Sequence, residues 1–287
     1  IKSIPCSFVF LEVSFLQKIG KSERLIFITS TLVQNPMKLF SLTFFCEKLS
    51  CAKSTLSEDI DLISQIFEQT GQGRLETVSG AAGGVYYIPV MKKEDEIEFL
   101  NFLKNELQNP ERIVSGGFVY INDIVFNPEV IKKAARIFVR LFLEKEIDYI
   151  ATVEAKGIAL ASYVAQYFNK PLVVARNSSK FTEGSTVNIS YISGTTGKIE
   201  TMTMAKKAIK KGAKVLFIDD FMRGGGTVRG MKDLLSEFES SLVGVGVLIA
   251  TKDKKSVDVD YKSLLVLEEL NAENKKITFS INPQVIS

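Results

Sequence analysis

The 287-residue sequence contains no histidine and no tryptophan, and only three cysteines. Without histidine there is no Ser–His or Cys–His catalysis, no imidazole general base and no His-ligated zinc. Cys6, Cys46 and Cys51 are odd in number, which argues against a disulfide framework and for a reducing compartment, so a cytoplasmic location is expected. Cys46 and Cys51 have no further ligand to complete a metal set and read as small buried hydrophobes. A bilayer-spanning run is also missing: Ile1–Leu16 is apolar but broken by Pro5 and Glu12, and shorter than the ~20 residues a spanning helix needs. That stretch lacks the small-residue cleavage site of a secretory leader, and residues 1–20 are left unassigned. Strong charge of either sign is absent. The 36 Lys and Arg against 33 Asp and Glu leave +3, so bulk basicity does not point to nucleic acid. A hydrophobic share of 46% and a charged share of 24% exclude wholesale disorder, and the length suits two domains. Any chemistry must come from Asp, Glu, Lys, Arg, Tyr and backbone groups.

Two rhythms divide the chain. Residues 21–90 read as short helices followed by a Gly-rich hairpin, and residues 91–287 as a connecting helix and a larger domain. The helix over Met91–Gln108 has Glu94, Asp95 and Glu96 at its start and Pro110 beyond its end, with Ile97, Leu100, Leu103 and Leu107 on one face. Val130, Ala134, Ile137 and Leu141 then recur at helical spacing. Strands are expected at Tyr149–Val153, Leu172–Ala175, Lys214–Ile218 and Leu242–Ala250, with helices at Ile158–Phe168 and Thr227–Phe238. Strands alternating with helices predict an α/β fold, a parallel sheet with flanking helices. Ligands in such sheets sit outside the carboxyl ends of the strands, where the turns Glu154–Gly157 and Asp219–Gly226 fall.

The segment Val215-Leu-Phe-Ile-Asp-Asp-Phe-Met-Arg-Gly-Gly-Gly-Thr227 carries most of the information. Four apolar residues drive a strand inward, two acids follow, and three glycines and a threonine open a helix. Glycines let the backbone approach a ligand closely, and N–H groups at a helix start suit a phosphate. Ionised Asp219 and Asp220 accept hydrogen bonds and suit vicinal hydroxyls, so the pattern describes a ribose 5-phosphate site. There is no G-x-x-x-x-G-K-[ST], and the acids precede the glycines, so neither a Walker loop nor a dinucleotide fingerprint fits.

This segment resembles the type I phosphoribosyltransferase signature. The resemblance implies a site for phosphoribosyl pyrophosphate (PRPP) with Mg²⁺. Asp219 and Asp220 would hold the ribose hydroxyls, and Arg223, Gly224, Gly225, Gly226 and Thr227 would wrap the 5-phosphate. Glu154-Ala155-Lys156-Gly157 resembles the pyrophosphate turn of purine members, which assigns Ala155, Lys156 and Gly157 to the effector. The polar stretch Arg176–Met202 lies where the family has a flexible loop closing over PRPP; Arg176, Lys180 and Lys198 could meet pyrophosphate there, and a solvated hairpin is the alternative.

Within 21–90, helices are expected at Glu23–Val33, after Ser41 as N-cap, and from Ala52, the last with Leu56, Ile60, Ile63 and Phe67 buried. Arg74–Val78 and Val85–Ile88 flank the Gly-rich tip Ser79–Gly84. This is the order of a winged helix, and Lys-Ser-Thr-Leu-Ser-Glu-Asp-Ile60 resembles the pattern of bacterial winged-helix regulators. Lys53, Ser54, Thr55 and Ser57 would face the major groove, with Lys48 and Arg74 as further DNA contacts. Six cations against seven acids in this stretch mean that DNA affinity needs a polarised surface, a dimer, or lysines of the second domain; a protein-contact module is the alternative.

Together the two halves resemble the purine operon repressors of Gram-positive bacteria, over about residues 21–280. The likeness includes Ser79-Gly-Ala-Ala-Gly-Gly, Asn109-Pro-Glu-Arg-Ile, Thr182-Glu-Gly-Ser-Thr-Val and Asp219-Asp-Phe-Met. It implies a homodimeric, double-stranded-DNA-binding repressor of purine synthesis and salvage genes. PRPP would be its effector, lowering DNA affinity without turnover. A catalytically active purine phosphoribosyltransferase and a PRPP sensor acting through a protein partner stay open. One departure is Gly224, where transferases often carry Thr.

Overall fold

The computed structural model describes residues 19–80, 82–179, 182, 184–194, 197–252 and 261–286. The expectations for Cys6, Lys180 and the apolar stretch before residue 19 lie outside the described residues. The chain forms two compact units, one ending at Pro89 and one beginning at Val90.

The first unit runs α1 (Lys21–Gln34), α2 (Leu42–Leu49), α3 (Lys53–Thr70), β1 (Arg74–Val78) and β2 (Gly84–Ile88), the order expected of a winged helix. The Ser41 side chain caps α2, accepting from the Phe44 N–H at 3.1 Å. Gly71, at φ 68°, ends α3. Phe40 and Val85 exchange backbone hydrogen bonds of 3.0 and 2.9 Å, adding a short third strand to the hairpin. Gly84 permits this approach, because a Cβ there would lie 2.1 Å from the Phe40 carbonyl. Leu56, Ile60, Ile63 and Phe67 pack with Ile28, Leu32 and Phe45 as the core. Asp59 is buried among them, and its carboxylate accepts from Arg24 Nε at 2.7 Å and Nη2 at 3.4 Å. The Asp-Ile of the regulator-like pattern is therefore a packing device: Asp59 ties α3 to α1, and Ile60 fills the core.

The second unit starts with α4 (Lys93–Leu107), the short hairpin β3 (Ile113–Val114) and β4 (Phe118–Val119), α5 (Asn122–Val125) and α6 (Pro128–Phe142). Then come β5 (Tyr149–Val153), α7 (Gly157–Phe168), β6 (Leu172–Ala175), β7 (Thr186–Ile192), β8 (Ile199–Ala205), β9 (Lys214–Met222) and α8 (Gly226–Ser236). The unit closes with β10 (Ser241–Thr251), β11 (Tyr261–Asn271), β12 (Lys276–Ile281) and α9 (Pro283–Ile286). The main sheet has the order β12-β11-β10-β9-β5-β6, parallel except for β12. After β6 the chain crosses to the far side of β5, which makes the β5–β9 boundary the switch point of the sheet.

Four details differ from the sequence reading. Ile97 is turned outward at 39% exposed, and Glu96 takes the buried position on α4. Arg140 of α6 makes that possible by bonding both Glu96 carboxylate oxygens at 3.0 Å. Asp219 and Asp220 belong to β9 rather than to a turn, because pairing with β10 continues from Asp219 through Met222. The described part of Arg176–Met202 is largely an antiparallel ribbon of β7 and β8, and not a solvated one, since Tyr191 and Met202 join the core of the unit. The strands β11 and β12 were not anticipated, since Leu264-Leu-Val-Leu-Glu-Glu-Leu270 suits a helix as well as a strand.

Among the described residues no helix is long and apolar enough to cross a membrane. Asp59→Ala is expected to destabilise the first unit by about 2 kcal/mol, because it strands a largely buried guanidinium. Urea unfolding followed by circular dichroism measures this, and an unchanged midpoint would show the pair to be peripheral.

Candidate functional site

The switch point brings the two turns singled out in the sequence together. The apolar run of β9 carries Asp219 to the sheet's end, where it is only 8% exposed. The Asp220 N–H donates to Asp219 Oδ1 at 2.9 Å. Burial, and then the neighbouring Asp220 charge, hold the Asp219 carboxyl well above the usual carboxylate range. Gly157 covers this carboxylate: a Cβ there would lie 2.4 Å from Thr152 Oγ1 and 2.6 Å from Asp219 Oδ1. Thr152 Oγ1 is buried and has no hydrogen-bond partner.

Beyond Met222 the chain turns through Gly224 and Gly225, at φ 68° and 69°, into α8. The first helical hydrogen bond is Arg229 N–H to Gly225 O at 3.1 Å, so the N–H groups ahead of it are not used by the helix. Arg229 Nη2 donates to the Gly224 carbonyl at 3.2 Å and anchors the loop from its carbonyl side. The tip of the β7–β8 ribbon lies directly on this loop. A Cβ on Gly226 would sit 2.1 Å from Ile192 O, and one on Gly194 would sit 1.6 Å from Arg223 O.

Asp220, Lys156 and Arg223 line one cavity of about 690 Å³, together with Phe118, Asn122 and Thr251. That volume falls within the about 300–1,000 Å³ of small-molecule sites. Lys156 and Arg223 are exposed there, and Ala155 is exposed at the turn beside them. Asp219 and Gly157 lie beneath, with Gly224 to Thr227 forming the adjoining glycine loop. Arg176 is not part of the cavity lining: its guanidinium is 3.6 Å from Glu154, and its backbone pairs with Thr203. Lys198 stands on the ribbon, where its carbonyl accepts from the Ser193 N–H at 2.9 Å.

Asn122 and Thr251 are the residues sequence reasoning missed. Both residues line the cavity, while their Oδ1 and Oγ1 atoms are themselves buried and without a hydrogen-bond partner. No local signal marks them, because positions 122, 156, 220 and 251 meet only through the sheet topology. Among the described residues no cluster of three or more Cys, Asp or Glu could hold a metal ion by itself.

In the first unit, Lys53, Ser54 and Ser57 are exposed on the opening turns of α3, while Thr55 and Lys48 are half-buried. The N-cap Ala52 offers no side-chain acceptor, and the Ser57 hydroxyl donates to Lys53 O at 3.0 Å. Arg74, at the start of the hairpin, pairs with Glu76 at 3.2 Å. The described part of the hairpin tip holds only Ser, Gly and Ala, so this wing offers shape and backbone groups rather than charge.

Comparison with known proteins agrees with this division. Residues 20–89 match the family model described as the N-terminal domain of the bacterial purine repressor, and residues 121–284 match the phosphoribosyl transferase domain. The chain is 48% identical over 262 residues to the purine biosynthesis transcriptional repressor of Bacillus subtilis, covering 91% of this chain and 92% of that protein. It is 36% identical over 259 residues to the purine biosynthesis transcriptional activator of Lactococcus lactis, covering 90% and 95%. Among solved structures, adenine phosphoribosyltransferase from Rhodothermus marinus superposes with a TM-score of 0.52 at 24% identity, over 60% of this chain and 99% of that one, a likeness of fold. With both domains matched and near-complete alignment to its relatives, the chain belongs to the bacterial purine repressor family, its second unit a type I phosphoribosyltransferase fold.

Proposed function

We propose that this protein is a DNA-binding repressor of purine biosynthesis and salvage genes, and that PRPP is the effector whose binding lowers its DNA affinity. The observation that carries the reading is one cavity lined by Asp220, Lys156 and Arg223, with Asp219 and the glycine loop adjoining them in the chain, in a protein whose other unit has the element order of a winged helix. Asp219 and Asp220 would accept from the ribose hydroxyls, Arg223 to Thr227 would hold the 5-phosphate, and Ala155 to Gly157 the diphosphate. Arg176 could join only by leaving Glu154. Mg²⁺ would neutralise diphosphate charge, and the donor set here suits an ion held chiefly by the ligand's own oxygens with Asp220 nearby.

On the DNA side, the start of α3 would enter the major groove with Lys53, Ser54, Thr55 and Ser57, and Lys48 and Arg74 would meet phosphates. A homodimer supplies two such helices, which compensates for a unit carrying no net positive charge. An effector changes DNA affinity only by binding two states unequally, and the protein is proposed to do this without turnover.

A second reading, an active purine phosphoribosyltransferase, is favoured by Asn122 and Thr251. Both residues line the cavity beside Lys156 and Asp220, and their side chains would suit the polar edge of a base on turning toward it. Base-dependent release of pyrophosphate from PRPP would establish it.

Gel shifts on the protein's own purine promoters test the main reading. Mg-PRPP is expected to weaken the wild-type complex, Lys53→Ala to weaken DNA binding with a shallower salt dependence, and Asp220→Ala to bind DNA but ignore PRPP. An Asp220→Ala protein that still responds would overturn the assignment. Asp219→Asn should lose the response yet gain stability. A carboxyl with a raised folded pKa stabilises the fold only at low pH and withdraws that support as pH rises through the folded value. The neutral amide should therefore melt higher at pH 8, by an amount worth about 1 kcal/mol, with the gap closing at acid pH. A lower melting point across the range would contradict this.

A further inference from the structure

The ribbon over the glycine loop contributes a side chain to it. Tyr191 of β7 is 9% exposed, and its ring lies across Gly230 of α8, where an added Cβ would come within 2.9 Å of Tyr191 Cγ. Gly230 is three residues past Thr227 and so on the same helical face. The phenol donates to Glu200 Oε2 at 3.1 Å, its cross-strand partner on β8. Burial chiefly, and Glu200 next, push the phenol up to about 12, while the nearby Thr227 hydroxyl acts the other way. The phenol thus stays protonated at neutral pH, and its ring packs on α8 one turn from Thr227, the one hydroxyl of the loop.

We propose that Tyr191 is a positioning residue of the anion site, holding Thr227 Oγ1 at the mouth of the glycine loop and linking it to Glu200. A hydroxyl has a single proton, so Thr227 can donate either to Tyr191 or to an arriving phosphate. When the phosphate takes that proton, Tyr191 turns to donate to Thr227 Oγ1, and the chain runs Tyr191 to Thr227 to phosphate. Hydrogen bonds in such a chain polarise one another, and each donor strengthens the next. No bond is made or broken apart from hydrogen bonds. The ribbon contact at Gly194 and Gly226 keeps the phenol in register with the loop.

The proposal rests on reading the glycine loop as a 5-phosphate site, and a double-mutant cycle separates the two. Calorimetric titration of the full chain with Mg-PRPP and with ribose 5-phosphate is run on wild type, Tyr191→Phe, Thr227→Val and the double variant. Tyr191→Phe keeps the ring over Gly230, so its melting temperature is the control for packing. About tenfold weaker binding is expected for Tyr191→Phe and for Thr227→Val, and the double variant should be no weaker than the poorer single one. Wild-type affinity in Tyr191→Phe, or losses that multiply in the double variant, would overturn the role of Tyr191 while leaving the phosphate site standing. Failure of wild type to bind either ligand, or an unaffected Thr227→Val, would instead remove the underlying reading.

Discussion

The site depends on one carboxylate held out of water. Asp219 sits at the end of the central strand because the apolar run before it belongs in the core, and it stays there because Gly157 has no side chain to displace it. The Glu154–Gly157 turn and the acid pair are therefore parts of one construction: close packing of the first sets the burial of the second. Stability alone would favour a neutral residue at such a place. Its presence at the switch point of the sheet is what the proposed binding role would account for.

The other buried carboxylates make the contrast plain. Asp59 meets Arg24 and Glu96 meets Arg140 at hydrogen-bonding distance, and each pair joins two helices. Those charges are satisfied within the fold. In the second unit Thr152 Oγ1, Asn122 Oδ1 and Thr251 Oγ1 are instead buried with no partner. Paired charges hold the framework, whereas these three polar atoms are left unsatisfied by it.

Legibility in the sequence followed the same line. The helices and hairpin of the first unit, and β5, α7, β6 and α8, were readable because periodicity, caps and glycines act locally. The acid pair and glycine loop were readable because a strand end, two acids and a helix start lie together in the chain. Asn122 and Thr251 were not, because only the sheet topology brings them to Asp220. Glu96 stands in the first turn of α4 as its sequence suggests, but its burial in place of Ile97 becomes intelligible only once Arg140 is known to stand opposite. The outer strands were missed because their leucine-rich composition fits either period, and pairing with β10 decides the matter.

Gly224 fills the position where transferases often carry threonine, and it adopts a left-handed conformation, φ 68°. A β-branched residue is a rare outlier there, with a strain on the order of 1–3 kcal/mol. Placing threonine at 224 would therefore not simply add a hydroxyl to the loop; it would require the backbone to be rebuilt around it. The conformation of position 224 and the hydroxyl count of the loop are therefore coupled: a side chain cannot be added here without moving the N–H groups that follow it.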